Sequence, residues 1–136
     1  MSPRESQRPP EFLVDRSLGS VIVPTALIAR GFMVHTLQTV YGDNVARDLD
    51  DEVWLVEAGK RNWIVLAKDE RIRRRPNELA AIREHRVKAF YLTAGGLKGE
   101  VQAAILLKHI NRIIQRARNA GPMVWAVTES GIRRVL

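Results

Sequence analysis

Acidic residues follow two of the apolar runs in this sequence. Asp15 comes directly after the run at residues 12–14, and Asp69 follows the run at 63–66 after two intervening residues. Ligands of open parallel sheets bind at the carboxyl ends of the strands, so acids that follow adjacent strands are expected to meet there. Asp51 lies in the first turn of a predicted helix and points to the same edge if that helix runs antiparallel to the strands. These three aspartates are the candidate catalytic residues.

Carboxylates gathered in one place repel each other unless a cation neutralises them, and oxygen ligands favour hard ions such as Mg²⁺ or Mn²⁺. A metal ion held there can activate water and stabilise the leaving oxygen of a phosphodiester. Asp50, Glu52 and Glu70 are additional candidate ligands beside the three aspartates. The alternative is that these acids cap turns and helices, for which Asp50, Asp51 and Glu52 are equally well suited.

A dense run of arginines follows Asp69 and suggests a surface that holds phosphate groups beside the metal. The candidate substrate-binding residues are Lys68, Arg71, Arg73 and Arg74. The alternative interpretation is a solvated loop whose arginines pair with Glu78 or Glu84, because exposed charge is the default for such residues. The adjacent Asp69 favours RNA binding.

Composition narrows the class of protein. The chain has 136 residues, a formal charge of +7 and 46% hydrophobic residues, which predicts one domain with a field that attracts polyanions. Its apolar runs are too short to span a membrane, and the absence of cysteine fits a reducing cytoplasm. We expect a flexible polar tail at residues 1–10 and a folded domain at residues 11–136.

Apolar runs alternate with stretches of helical period, which predicts an α/β fold with a parallel sheet. Strands are predicted at residues 12–14, 32–37, 63–66, 89–92 and 123–127, the last closing the sheet. Helices are predicted at 20–29, from 50 to about 59, at 76–84 and at 100–117, with loops near Tyr41 and Gly95. Lys108, Arg112 and Arg116 form a basic ridge on the last helix, which the helical period places in solvent.

The remaining aromatic residues and histidines carry weaker signals. Trp54, Trp63 and Trp125 are predicted to be structural, whereas Tyr41 in its polar loop could stack on a base. The three histidines lack the spacing of a metal site or a catalytic triad. No catalytic role is assigned to them.

The runs FLVDRSLG, DDEVWLVEAGKRNWIVLAKDERIRRRPNE and VKAFYLT resemble the PIN-like domains related to VapC toxins. The resemblance extends from Phe12 to the C-terminus. It implies a three-layer α/β/α sandwich with a mostly parallel sheet of about five strands. It also implies cleavage of single-stranded RNA with Mg²⁺ or Mn²⁺, as the toxin of a type II toxin-antitoxin pair that an antitoxin protein holds inactive. Asp15, Asp51 and Asp69 match the family's acids.

Two positions depart from the family pattern. Many PIN domains have a fourth acid after the third, but only Glu70 follows closely here, which leaves open whether one or two metals bind. Ala67 replaces a hydroxyl residue that often precedes the Lys-Asp pair, removing a hydrogen bond beside the ligands.

These departures favour an alternative, a catalytically weak nucleic-acid-binding or regulatory module. A receiver-like domain with a phosphoacceptor aspartate ranks last, because no strand directly precedes Asp51. A homodimer is expected in any case, without membrane attachment.

Overall fold

The computed structural model of the protein describes residues 8–68, 75–93 and 97–136. In these ranges the strands are β1 (Glu11–Val14), β2 (Met33–Thr36), β3 (Ile64–Ala67), β4 (Lys88–Leu92), β5 (Met123–Thr128) and β6 (Gly131–Arg134). The helices are α1 (Ile22–Ala29), α2 (Leu37–Tyr41), α3 (Asp43–Arg47), α4 (Asp51–Arg61), α5 (Pro76–Glu84), α6 (Gly99–Lys108) and α7 (Ile110–Ala117). None of these helices is long and apolar enough to cross a membrane.

The strands form one sheet in the order β2-β1-β3-β4-β5-β6. The first five strands are mutually parallel, and β6 pairs antiparallel with β5. The predicted mostly parallel sheet is therefore confirmed. All parallel strands end at one edge, which we call the carboxyl edge, and begin at the opposite edge, which we call the amino edge.

Side chains alternate across the sheet and divide the apolar core into two layers, as the period of a strand requires. Phe12, Leu66 and Phe90 face the layer formed by α1, α6 and α7. Leu13 and Val65 face the other layer, to which α2, α3, α4 and α5 contribute buried residues. The architecture is a three-layer α/β/α sandwich, as expected from the family resemblance.

The predicted helix at residues 100–117 is interrupted at His109, which separates α6 from α7. The imidazole Nε2 lies 3.0 Å from the backbone oxygen of Glu129, and the residue is only 7% exposed. Lys108, Arg112 and Arg116 are all exposed, as predicted, although the break places Lys108 on α6 and the two arginines on α7. Lys108 also forms an exposed ion pair with Glu129 at 2.9 Å. An apolar stripe alone does not reveal a break between two helices that pack on the same core.

Three further elements were not predicted. The segment around Tyr41 was expected to be a loop, but it forms α2 and α3, which meet at Gly42. Strand β5 was expected to close the sheet, whereas β6 forms the edge beyond it. Trp54 and Trp63 are buried, as predicted. Trp125 stacks on Phe90 within the sheet, with its ring centroid 6.2 Å away.

Candidate metal centre at the carboxyl edge

Asp15 lies where β1 ends, and the following turn ties this strand to β3. Its backbone N–H donates to the oxygen of Leu66 in β3 at 2.9 Å. The Ser17 hydroxyl donates to Asp15 Oδ2 at 2.8 Å and accepts from the backbone N–H of Lys68 at 2.9 Å. Ser17 therefore fixes the Asp15 side chain relative to the end of β3. This serine was not among the predicted site residues, although it stands two residues after the aspartate in the run FLVDRSLG.

The Asp15 carboxylate is buried and incompletely satisfied. The residue is 7% exposed, and its Oδ1 has no hydrogen-bond partner within the described ranges. Burial raises the pKa of Asp15, the hydrogen bond from Ser17 lowers it, and the negative charge of Asp51 raises it again. Because buried polar groups normally have partners, an unpartnered carboxylate oxygen in this position fits a cation ligand.

Part of the capping alternative is also observed at Asp15. Its Oδ2 accepts from the backbone N–H of Ser17 at 3.4 Å, at the start of a short 3₁₀ turn. This bond involves only one of the two carboxylate oxygens. The cap therefore orients the side chain without accounting for the buried Oδ1.

Asp51 begins α4, as predicted, and its carboxylate is held by an indole. Trp54 Nε1 donates to Asp51 Oδ1 at 3.0 Å, and the Trp54 ring is fully buried. Two guanidinium groups approach the same carboxylate, from Arg16 at 4.0 Å and from Arg75 at 3.7 Å. This hydrogen bond explains why Asp51 and Trp54 are three residues apart, because side chains at that spacing lie next to each other on one face of a helix.

Glu78 is a further acid at this edge that the sequence analysis did not select. It lies in the first turn of α5, is 7% exposed and pairs with Arg75 at 3.1 Å. Burial and a hydrogen bond with Asp51 raise the pKa of Glu78 to about 7, against the lowering effect of Arg75. The alternative interpretation of the basic run, in which its arginines pair with Glu78 or Glu84, therefore holds for Arg75 and Glu78, and this pair lies beside Asp51.

Asp51, Glu78 and the two arginines beside them line an open cleft of about 730 Å³, which we call the acid cleft. Its lining residues are Arg16, Asp48, Leu49, Asp50, Asp51, Glu52, Arg75, Pro76, Asn77 and Glu78. Asp50 and Glu52, the additional candidate ligands, are therefore on its wall. Asp50 occupies the position before α4, but its side chain makes no capping hydrogen bond to that helix.

Of the remaining candidate site residues, Lys68 lies within the described ranges and the others do not. Lys68 is half-buried at the end of β3, and its described contact is the backbone bond to Ser17. Asp69, Glu70, Arg71, Arg73 and Arg74 lie outside the described residues. Within the described ranges no three acids or histidines lie close enough to hold a metal ion. Within these ranges Asp15 and Asp51 are therefore the leading candidate ligands, and they do not form a complete set by themselves.

The chain belongs to the PIN-like domain family, since the family model described as "PIN like domain" matches residues 10–94. The matched region contains β1, the acid cleft and β4. The chain is also similar to a protein of Mycobacterium tuberculosis (strain ATCC 25618 / H37Rv) named "Putative ribonuclease VapC45". The two are 33% identical over 123 residues, which cover 90% of this chain and 89% of that protein. The resemblance to VapC-related PIN domains is therefore confirmed. No solved structure gives a significant match.

Proposed function

We propose that this protein is a metal-dependent endoribonuclease that hydrolyses phosphodiester bonds of single-stranded RNA. The observation that carries the proposal is the buried, unpartnered Oδ1 of Asp15, at the end of β1 and within the electrostatic influence of Asp51. The family membership and the relative named as a ribonuclease support it. The formal charge of +7 suits a polyanionic substrate.

Asp15 and Asp51 would hold Mg²⁺ or Mn²⁺, and Asp69 is proposed as the third acid, with Asp50, Glu52, Glu70 and Glu78 as supplementary ligands. When bound, the metal supplies an activated water and a positive charge opposite the scissile phosphate. The raised pKa values of Asp15 and Glu78 are those expected of carboxylates placed for a cation that would lower them again.

The chain's own residues would position the reacting groups. Ser17 and Trp54 each donate a hydrogen bond to one of the two aspartates and limit how far its carboxylate can rotate. Arg16 and Arg75 line the acid cleft with guanidinium groups that can donate paired hydrogen bonds to an RNA phosphate. We include Lys68, Arg71, Arg73 and Arg74 as further substrate contacts on the basis of their sequence positions.

The biological setting that we propose is a type II toxin-antitoxin pair, in which this chain is the toxin and a cognate antitoxin protein inhibits it. The name of the mycobacterial relative supports this setting. Cytoplasmic localisation and a homodimer form part of the same proposal. RNA is the proposed substrate.

The decisive experiment is cleavage of a labelled single-stranded RNA pool by the purified protein, with Mg²⁺ or Mn²⁺ and with EDTA. We expect cleavage that EDTA abolishes and that Asp15→Asn lowers by about 100-fold or more, because even residues that merely support ligands contribute 10- to 100-fold. Asp43→Asn is the matched control, since Asp43 is an exposed acid in the first turn of α3. Cleavage that survives in EDTA or in the Asp15 variant would overturn the metal-nuclease assignment.

One observation favours a second candidate, a nucleic-acid-binding or regulatory module with weak catalysis. Arg75 lies between Asp51 and Glu78 and could neutralise them in place of a metal ion. Ala67 likewise brings no hydroxyl to the end of β3. In this case wild-type protein would bind the RNA pool without cutting it, and Asp15→Asn would leave its affinity unchanged or improve it.

A further inference from the structure

A second cavity lies at the amino edge of the sheet, opposite the acid cleft, and has a volume of about 580 Å³. The starts of β1, β3 and β4 contribute Glu11, Ile64 and Lys88 to its wall. The C-terminal ends of α4, α5 and α7 surround it, through Arg61, His85 and Ala117. We call this cavity the basic pocket, because its charged residues are mostly cations.

At two glycines in the pocket wall, the backbone packs directly against another backbone segment. A Cβ atom on Gly59 would lie 2.4 Å from the backbone oxygen of His85, so α4 can approach the end of α5 only where the side chain is absent. A Cβ atom on Gly121 would lie 2.2 Å from the backbone oxygen of Arg86. The three helix ends are therefore brought together by tight packing, and the cations they carry are held around one space.

The basic pocket is lined by more cationic than acidic side chains. Its cationic residues are Arg8, Lys60, Arg61, Arg86, Lys88 and Arg118, and its acid is Glu11. Glu11 lies 2.8 Å from His35, and Arg61 pairs with Glu57. Within the part of the chain that the structure describes, Lys60, Arg86 and Arg118 form no ion pair.

Helix dipoles explain only part of this clustering. Cations near a helix C-terminus are favourable, and Lys88 Nζ donates to the backbone oxygen of Ala117 at 2.6 Å. Lys60, Arg86 and Arg118 are exposed, and within the described ranges none of their side chains donates to a helix carbonyl oxygen. Their charges are therefore directed to solvent around a concave surface that also has apolar walls, which include Pro9, Pro10, Ile114 and Ala120.

We propose that the basic pocket binds the phosphates of single-stranded RNA at a site separate from the acid cleft. The guanidinium and ammonium groups on its rim suit phosphate oxygens, and its apolar walls suit a ribose or a base. The inference rests on the proposed function, because the same RNA chain would extend from the acid cleft to this edge. Strand β4, with five residues, separates the two edges by about 17 Å, so only a chain of several nucleotides can occupy both sites.

The test compares two double variants that lose the same charge. Lys60→Gln with Arg118→Gln removes two exposed cations from the pocket, and Arg30→Gln with Arg47→Gln removes two exposed cations that do not line it. Binding of labelled RNA of about 20 nucleotides is measured by fluorescence anisotropy in EDTA, over a series of salt concentrations. An RNA of about four nucleotides serves as a substrate too short to reach both edges.

We expect the pocket variant to bind the long RNA about tenfold more weakly and its log–log salt slope to fall by about 0.7 for each lost contact. The short RNA should respond less, and the control variant should resemble the wild type. Equal losses in the two variants would overturn the proposal, since net charge alone would then explain them. Weakened binding of a 5′-mononucleotide with unchanged long-RNA binding would also overturn it.

The binding measurement is separate from the cleavage test of the candidate metal centre. Loss of cleavage in Asp15→Asn with normal RNA binding would leave the pocket proposal standing. Failure of the wild type to cleave any RNA would count against the proposed function, whereas the comparison of the two double variants would still decide the pocket.

Discussion

Asp15, Asp51 and Glu78 lie at the candidate metal centre, and burial and mutual repulsion disfavour their charged forms. Asp15 is buried with one unpartnered oxygen, and Glu78 shares a hydrogen bond with Asp51 that requires a proton between them. Both Asp15 and Glu78 have raised pKa values, chiefly because of burial. Each of them is therefore easier to protonate in the folded protein than in the unfolded chain, and each destabilises the metal-free fold when it ionises.

This arrangement predicts how the stability of the metal-free protein depends on pH. The pKa of Glu78 is raised from 4.5 to about 7, so the folded state binds more protons than the unfolded state between those values. Its favourable contribution is complete below about pH 4.5 and is lost as the pH rises through about 7. We expect the free energy of unfolding, measured in urea with EDTA, to fall over this interval. Among the described residues, Asp51 and Arg75 are the charged groups that face Glu78.

The variant Glu78→Gln should flatten this part of the pH profile, because glutamine keeps the side-chain shape and cannot ionise. Glu84→Gln is the matched control, as Glu84 is exposed at the opposite end of α5. Its profile should follow the wild type. A wild-type profile that rises with pH in this interval would contradict the assignment of the shared proton to Glu78.

At the scale of residues, the sequence predicts the acids at a strand end and at a helix start, but not the residues that support them. Asp15 and Asp51 were found because a strand end and a helix start are visible in the order of apolar and acidic residues. Ser17 acts through a hydrogen bond to Lys68, 51 residues away, and nothing local marks it. Glu78 joins the site because α5 begins at the carboxyl edge, which depends on tertiary packing.

At the scale of elements, the close approach of α4 and α5 depends on Gly59. Alanine in a helix interior usually stabilises by about 1 kcal/mol relative to glycine. Here the added Cβ would meet the backbone oxygen of His85 at 2.4 Å, and a backbone atom cannot rotate aside. We expect Gly59→Ala to lower the free energy of unfolding by about 1 to 3 kcal/mol, measured in urea.

Gly99→Ala is the comparison for this prediction. Its Cβ would meet Ile22 Cδ1 at 2.9 Å and Ile22 Cβ and Cγ2 at 3.1 Å, atoms of an exposed side chain that can shift more easily than backbone. A smaller loss is therefore expected there. If Gly59→Ala were as stable as the wild type, the packing of these two helix ends would be looser than the structure indicates, and the basic pocket would lose its wall.

The elements that the sequence predicted well are those with a strong local pattern. Strands β3 and β4 are uninterrupted apolar runs, and α4 has an acidic start followed by buried residues. Helix α2 has five residues and one buried side chain, too few to show a helical period. Strand β6 has two arginines and exists because it pairs with β5 at the edge of the sheet. Pairing of this kind has no apolar signal of its own.

At the scale of the whole molecule, charge is separated along the strand direction. The acid cleft lies at the carboxyl edge, and the basic pocket lies at the amino edge. Helix α4 connects them, since it begins with Asp51 and Glu52 and ends with Lys60 and Arg61. Helix dipoles favour this polarity. They do not account for the buried oxygen of Asp15, because Asp15 follows a strand and caps only a short turn.

This separation predicts that a divalent cation stabilises the whole domain. Ligand at 100 times its dissociation constant adds about 2.7 kcal/mol to the free energy of unfolding. For a domain of this size that corresponds to a rise in Tm of about 10 °C. We therefore expect Mn²⁺ at saturating concentration to raise the Tm, measured by circular dichroism against an EDTA reference.

Asp15→Asn should raise the Tm in EDTA, because it removes a buried charge, and should abolish most of the response to Mn²⁺. Asp43→Asn should keep that response, and an equal response in both variants would mean that Mn²⁺ binds elsewhere on the protein.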